Sequence, residues 1–236
     1  MSNTQKTAFI TGGTKGIGLG IAQALIAADV KVAITGRQAE QVAEVTAQLN
    51  ALKPGAALGF VADVRDLAAQ KAAVDGILAT WGRLDYVIAN AGVGHFAPAQ
   101  ELTIDQWQET IDVNLTGAFY TAKVSLEALK ASEGYYISVA SLAGTNFFAA
   151  GTAYNASKFG LVGFTQALMM DLRKEGIKVT TLMPGSVATY FNGHTPSDAD
   201  AWKIQPEDIG QIVVDLIQLP ARTLPSKVEI RPSFPK

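Results

Sequence analysis

Short β-branched runs alternate with helical patterns along the whole of this 236-residue chain, and that alternation leaves few folds open. Thr7–Thr11, Val30–Thr35, Leu58–Ala62, Tyr86–Ala89, Tyr135–Val139, Val179–Met183 and Lys227–Ile230 have the length and the Val, Ile, Thr and Tyr content of strands. Between them, apolar residues recur at helical spacing over Ile17–Ala28, Ala39–Leu52, Leu67–Trp81, Ile104–Ala131, Thr152–Glu175 and Pro206–Leu219. Such alternation builds βαβ units, and right-handed crossovers place helices on both faces of a parallel sheet. The pattern predicts one α/β domain over residues 1–236, a doubly wound parallel sheet of about seven strands. In sheets of this kind ligands bind beyond the carboxyl ends of the strands, which is where this chain carries its motifs.

Composition excludes several classes of function. Hydrophobic residues make up 48% and charged residues 17%, the balance of an ordered globule. A net charge of −2 gives no electrostatic case for nucleic acid or an anionic membrane. Without cysteine there is no disulfide, thiolate nucleophile or cysteine-ligated zinc. The two histidines, His95 and His194, lie far apart in sequence, so no His-based metal site is expected. The polar start Met1–Lys6 lacks the pattern of a signal peptide, and Asp29 and Lys31 interrupt the apolar stretch Ile21–Thr35. A soluble cytoplasmic protein is therefore expected.

The first strand runs into Gly12-Gly13-Thr14-Lys15-Gly16-Ile17-Gly18 and then an apolar helix. Glycines permit a tight turn and a close backbone approach to a pyrophosphate, which a helix N-terminus attracts with free N–H groups. The second strand ends in Gly36-Arg37, with no acid until Glu40. A carboxylate near there would hold the ribose 2′-hydroxyl of NAD, whereas arginine suits the 2′-phosphate of NADP. Arg37, with Lys15 in the turn, therefore points to NADP. Asp63 either accepts from an adenine amino group or caps the helix starting near Asp66. Asn90-Ala91-Gly92 is either a place where backbone approaches the cofactor or an ordinary turn.

Tyr154 and Lys158 stand four residues apart in a helical segment, on one face. A nearby positive charge lowers a phenol's pKa, so the pair can move a proton near neutrality.

With Thr11-Gly12-x-x-x-Gly16-x-Gly18, Asp63, Asn90-Ala91-Gly92, Asn114, Ser141, Tyr154-x-x-x-Lys158 and Pro184-Gly185 in order, the chain resembles the short-chain dehydrogenase/reductase family over nearly its whole length. The resemblance implies a Rossmann fold and an NADP(H)-dependent hydride transfer between a carbonyl and a secondary alcohol. It implies Tyr154 as general acid or base, Ser141 as the group orienting the carbonyl, and Lys158 as the holder of the nicotinamide ribose. Asn114 would fix a relay water. Cofactor contacts are implied for Gly12, Thr14, Lys15, Gly16, Ile17, Gly18, Arg37, Asp63, Val64, Asn90, Ala91, Gly92, Pro184, Gly185, Val187 and Thr189, besides Tyr154 and Lys158. Relatives pair their two long central helices, here Ile104–Ala131 and Thr152–Glu175, so a homo-oligomer, dimer or tetramer, is implied. Phe164, Leu168, Met169 and Leu172 would give the second helix a further apolar face.

The substrate wall falls on Gly94-His95-Phe96, Leu142–Ala150 and the segment after Gly185, with Phe147, Phe148, Tyr190, Phe191, His194 and Trp202 as pocket, core or interface residues. Reduction of a small ketone or aldehyde is the simplest expectation. A 3-oxoacyl-carrier-protein reductase is an alternative. Against it, the helix before Tyr135–Val139 carries no arginine to dock an acidic carrier, and Lys130 is the only base near its end. A catalytically silent NADP-binding sensor is the other. Ser141 has no triad partner or nucleophile elbow, which leaves a hydrolase without support.

Overall fold

The computed structural model describes residues 5–234; Met1–Thr4, which form most of the polar start, and Pro235 and Lys236 lie outside the described residues. Seven strands form one parallel sheet: β1 (Thr7–Ile10), β2 (Lys31–Gly36), β3 (Ala57–Val61), β4 (Tyr86–Ala89), β5 (Tyr135–Val139), β6 (Lys178–Pro184) and β7 (Lys227–Ile230). Their spatial order is β3-β2-β1-β4-β5-β6-β7, so the direction of winding reverses between β1 and β4. Phe9 pairs with Ala33 on one side and Val87 on the other, in the middle of the sheet.

Helices cover both faces, and alternation along each strand divides the core. Ala8 and Ile10 of β1, Val32 and Ile34 of β2, and Tyr135, Ile137 and Val139 of β5 face one way. They pack with α1 (Gly16–Ala27), α2 (Ala39–Leu52) and α7 (Pro206–Gln218). Phe9, Ala33 and Tyr136 face the other way, towards α3 (Leu67–Trp81), α5 (Gly117–Ser132) and α6 (Thr152–Leu172). Strands sandwiched in this way are near-continuous apolar runs, as β1 and β5 are, every residue of each being buried. Tyr136 keeps its hydroxyl satisfied in that core by donating to the Ala118 carbonyl at 2.9 Å.

Local chemistry fixes the helix ends. Asp66 caps α3, accepting from the Ala68 and Ala69 N–H groups, and Gly82 ends it at φ 73°. Thr103 and Gln106 form a capping box at the start of α4 (Ile104–Ile111). Pro206 opens α7 in the first turn, where a missing N–H costs nothing. The predicted helix Ile104–Ala131 is not continuous. A π-turn, Asp112–Thr116, separates α4 from α5 and carries Asn114. Leu172, assigned from sequence to an outer apolar face, is buried in the core at the end of α6. The exposed apolar residues on α5 and α6 include Phe119, Phe159 and Met170.

Candidate active site

A cleft of about 1270 Å3 lies beyond the carboxyl ends of the strands, across the reversal between β1 and β4. At its floor the glycine turn leaves β1 with Gly12 at φ 64° and Gly16 at φ 55°, left-handed conformations that glycine adopts without strain. The free N–H groups of α1 open into this end of the cleft. Asn90 locks the turn in place: its Nδ2 donates to the Thr11 and Gly12 carbonyls at 2.9 and 3.0 Å. The Thr11 hydroxyl accepts from the Asn90 and Ala91 N–H groups in return. The backbone after β4 is thereby tied to the backbone after β1. Gly18 lies beneath this tie and does not line the cleft.

Lys15 and Arg37 both line the nucleotide end and form no ion pair among the described residues. Asp63 has a different partner: its carboxylate holds Arg65 at 2.6 Å. The Arg65 hydrogen bond keeps the Asp63 carboxyl below the usual carboxylate range against the opposing pull of burial. Capping of α3 falls to Asp66, not Asp63. Gln41, one turn after Arg37, also reaches the cleft and receives the Thr14 hydroxyl at 3.3 Å. Its spacing from Arg37 on an N-terminal helical turn was a signal available in the sequence.

At the other end, α6 places Tyr154 and Lys158 on one face, with the Lys158 ammonium 5.7 Å from the Tyr154 ring centroid. Ser141 is brought to them by the short 3-10 turn Leu142–Gly144, which it caps by accepting from Ala143 N–H at 3.1 Å. Asn155 pins that turn to α6, donating to the Ala143 and Asn146 carbonyls, both at 2.8 Å. Lys158 is buried and donates to the Val139 carbonyl at 3.0 Å.

Asn114 explains the π-turn. Its Oδ1 accepts from Val93 N–H at 2.8 Å, and its Nδ2 donates to the Val93 carbonyl and to Ser157 Oγ at 2.9 and 3.0 Å. Three bonds to distant segments outweigh the regular helical register at this point. A Cβ on Gly92 would stand in ordinary contact with Asn114 Oδ1 and Lys158 Nζ, at 3.4 and 3.7 Å, so this backbone lies beside both groups.

Electrostatics depart from the sequence expectation at one point. Burial pushes the Tyr154 phenol above its ordinary value, and the Ser141 hydroxyl acts in the lowering direction. Burial sets the direction for the phenol, and it also lowers the Lys158 pKa to about 8, because an ammonium in the core loses its hydration.

All of the sequence-predicted site residues line the cleft except Gly18 and Asn114. Of the proposed substrate wall, Phe96, Phe148, Tyr190, Phe191, His194 and Trp202 line it. Phe147 is exposed outside it, and His95 instead bonds Glu109 at 2.8 Å. Lys203 and Arg231 also line the cleft and were missed, since nothing local in the sequence marks them.

The family model for short chain dehydrogenases matches residues 6–200. A D-threitol dehydrogenase of Mycolicibacterium smegmatis is 37% identical over 194 residues, covering 82% of this chain and 74% of the relative. An alcohol dehydrogenase of the archaeon Thermococcus sibiricus, solved with 5-hydroxy-NADP, superposes with a TM-score of 0.92 at 27% identity, covering 98% of each chain. A 3-ketoacyl-ACP reductase of Sinorhizobium meliloti superposes at 0.86 with 32% identity, covering 95% of this chain and 96% of that one. Fold, cleft and family match agree, and this oxidoreductase chain belongs to the short-chain dehydrogenase/reductase family.

Proposed function

We infer that the protein is an NADP(H)-dependent reductase of small ketones or aldehydes, reversible to the secondary or primary alcohol. The observation that carries this reading is the polarity of the cleft. Ser141, Tyr154 and Lys158 meet at one end, while Lys15 and Arg37 offer unpaired positive charge at the other.

The residues at the nucleotide end fit a dinucleotide. The left-handed glycines and the start of α1 suit close backbone contact. Arg37 and Lys15 suit a 2′-phosphate, and Asp63, though engaged by Arg65, still lines the adenosine region with Val64. Pro184, Gly185, Val187 and Thr189 line the other end of the cleft and would flank the cofactor there, and Lys158 would hold its ribose hydroxyls. NADPH supplies the hydride.

The chain's own residues manage the proton. Tyr154 Oη donates to the oxygen as it becomes an alkoxide, which contributes about 10²–10⁴-fold. Ser141 Oγ holds the same oxygen from the other side. Lys158 would balance the charge of the phenolate left behind, and Asn114, which fixes Val93 and Ser157 beside it, would position a relay to solvent. The hydride chemistry itself is the cofactor's.

The 3-oxoacyl-carrier reading is the less favoured. Lys130, the base at the end of α5, pairs with Glu175 at 2.8 Å, which partly offsets its charge towards an acidic carrier. A homo-oligomer through α5 and α6, in the cytoplasm, accompanies the proposal; exposed Phe119, Phe159 and Met170 supply apolar surface for a second copy. Among the described residues, no helix is long and apolar enough to cross a membrane.

Absorbance loss of NADPH, with NADH in parallel, across ketones, aldehydes and a 3-oxoacyl thioester tests the reading. Turnover of small carbonyls with NADPH favoured is expected. Saturable NADPH binding with no turnover of any carbonyl would replace the reductase with the sensor.

A further inference from the structure

The substrate end of the cleft is built from rings. Phe96, Tyr154 and Phe191 form a closed triangle, with centroids 5.2 Å apart for Phe96–Tyr154, 5.6 Å for Tyr154–Phe191 and 6.2 Å for Phe96–Phe191. Phe148 joins Phe96 at 5.9 Å. Interplanar angles of 45°, 56°, 62° and 67° are the tilted and edge-on arrangements that ring quadrupoles favour.

Backbone holds this cluster together. A Cβ on Gly94 would lie 2.6 Å from a carbon of the Phe191 ring, so that ring rests on bare backbone across the cleft from its own loop. Asn192 and Gly193 follow at φ 53° and 74°. Two left-handed residues in a row turn the chain sharply just after Phe191.

The charged groups at this end are already engaged. His194 and Lys203 both bond Asp200, at 2.7 and 2.6 Å, and Arg231 bonds Glu229 at 2.9 Å. That contrasts with the unpaired Lys15 and Arg37 at the nucleotide end. Around the Ser141 and Tyr154 hydroxyls the wall therefore offers a substrate the faces and edges of Phe96, Phe148 and Phe191, with the uncharged Asn146, Tyr190 and Asn192 also lining the cleft.

We propose that the substrate is an uncharged ketone with a planar aromatic ring directly beside its carbonyl. The ring lies against Phe96 and Phe191 while the carbonyl oxygen meets Tyr154 and Ser141. Tyr154 itself belongs to the ring triangle, so the hydroxyl that meets the carbonyl oxygen sits directly beside the rings that face the substrate ring. A polyhydroxy ketone in the same place would bring hydroxyls against the Phe96 and Phe191 rings, which cannot pair them. A phosphorylated acyl thioester would meet cations whose carboxylate partners are already in place. The proposal builds on the carbonyl-reduction reading above.

The test compares acetophenone with 2-octanone, which has the same number of carbons, and with L-erythrulose and acetoacetate, using NADPH and the intact chain. The expected kcat/KM for acetophenone exceeds each of the others by about tenfold or more, the size of one aromatic pair. Phe96→Ala should lower acetophenone kcat/KM about tenfold more than that of 2-octanone, and Phe96→Leu, which keeps the core filled, should show the same split. Any of the three other ketones within about threefold of acetophenone, or Phe96 variants that lower both eight-carbon ketones equally, would overturn it.

Quenching of bound-NADPH fluorescence in Tyr154→Phe separates this from the reaction. Tighter saturable binding of acetophenone than 2-octanone, without turnover by the wild type, would keep the ring slot and reject the reductase. Equal binding of the two, or none, would reject the slot even where 2-octanone is reduced.

Discussion

Replacing Lys158 with methionine tests whether a buried ammonium is as costly as its surroundings make it. The side chain is 4% exposed and its pKa falls from 10.5 to about 8 through burial. That span corresponds to about 3 kcal/mol, at roughly 1.36 kcal/mol per pH unit. The sign follows from proton counting. Below pH 8 folded and unfolded chains both carry the charge, so the whole cost is present. Between about 8 and 10.5 the folded chain gives up its proton first, the unfolded chain binds more, and stability rises with pH. Above 10.5 the cost is gone.

Lys158→Met removes the titration and also the bond to the Val139 carbonyl, which costs about 1–3 kcal/mol at any pH. Near pH 7 the two effects offset, leaving the variant as stable as the wild type or about 2 kcal/mol more so. By pH 10.5 the wild type should be the more stable. The gap in Tm should therefore change by roughly 6–12 °C across this range, at about 2–4 °C per kcal/mol for a chain of this size. Thermal melts of both proteins from pH 7 upward measure it directly. Parallel curves would refute the argument, because they would mean that the ammonium is not desolvated in the folded chain.

Tyr154→Phe should cut turnover by about 10²–10⁴-fold while NADPH still binds, as measured by steady-state rates beside a fluorescence titration. Near-normal turnover would remove the phenol from the proton path. Arg37→Asp should shift the ratio of kcat/KM from NADPH towards NADH; an unchanged ratio would assign the 2′-phosphate to other groups. Asp85 is buried, yet Arg83, Lys6 and Thr7 N–H hold its carboxyl below the ordinary value against that burial. Its contribution is complete above pH 3.8 and is lost as pH falls through the lowered value. Asp85→Asn should cost about 1–3 kcal/mol in urea unfolding at neutral pH and flatten the acid limb, and an unchanged acid limb would contradict the assignment.

Elements governed by local pattern were legible. The strands fall within a residue or two of their predicted ends, because continuous β-branched runs are what a doubly covered parallel sheet requires. The break at Asp112–Thr116 was not, since its cause is the distant pairing of Asn114 with Val93 and Ser157. Leu172 was misread for a similar reason. Helical periodicity identifies an apolar face but not which of two neighbours covers it. At the site, the residues that gather in the cleft were recoverable from motif order. The environment of Tyr154 was not: spacing on one helix face says nothing about how much solvent the core removes from the pair. The partner of His95 lies on α4, fourteen residues on, and nothing local in the sequence marks the pair.

The tie between Asn90 and the glycine turn separates two kinds of inheritance. A Cβ at Gly18 would stand 2.4 Å from the Gly12 carbonyl oxygen and 2.5 Å from Asn90 Nδ2. Position 18 is thus held to glycine by the scaffold's own cross-link, whatever occupies the cleft. A descendant that had abandoned its nucleotide would still carry that glycine, while Lys15 and Arg37, with no structural duty, would drift. The glycine thus reports on the scaffold alone, and any record of the ligand has to be sought at Lys15 and Arg37, which are unpaired among the described residues.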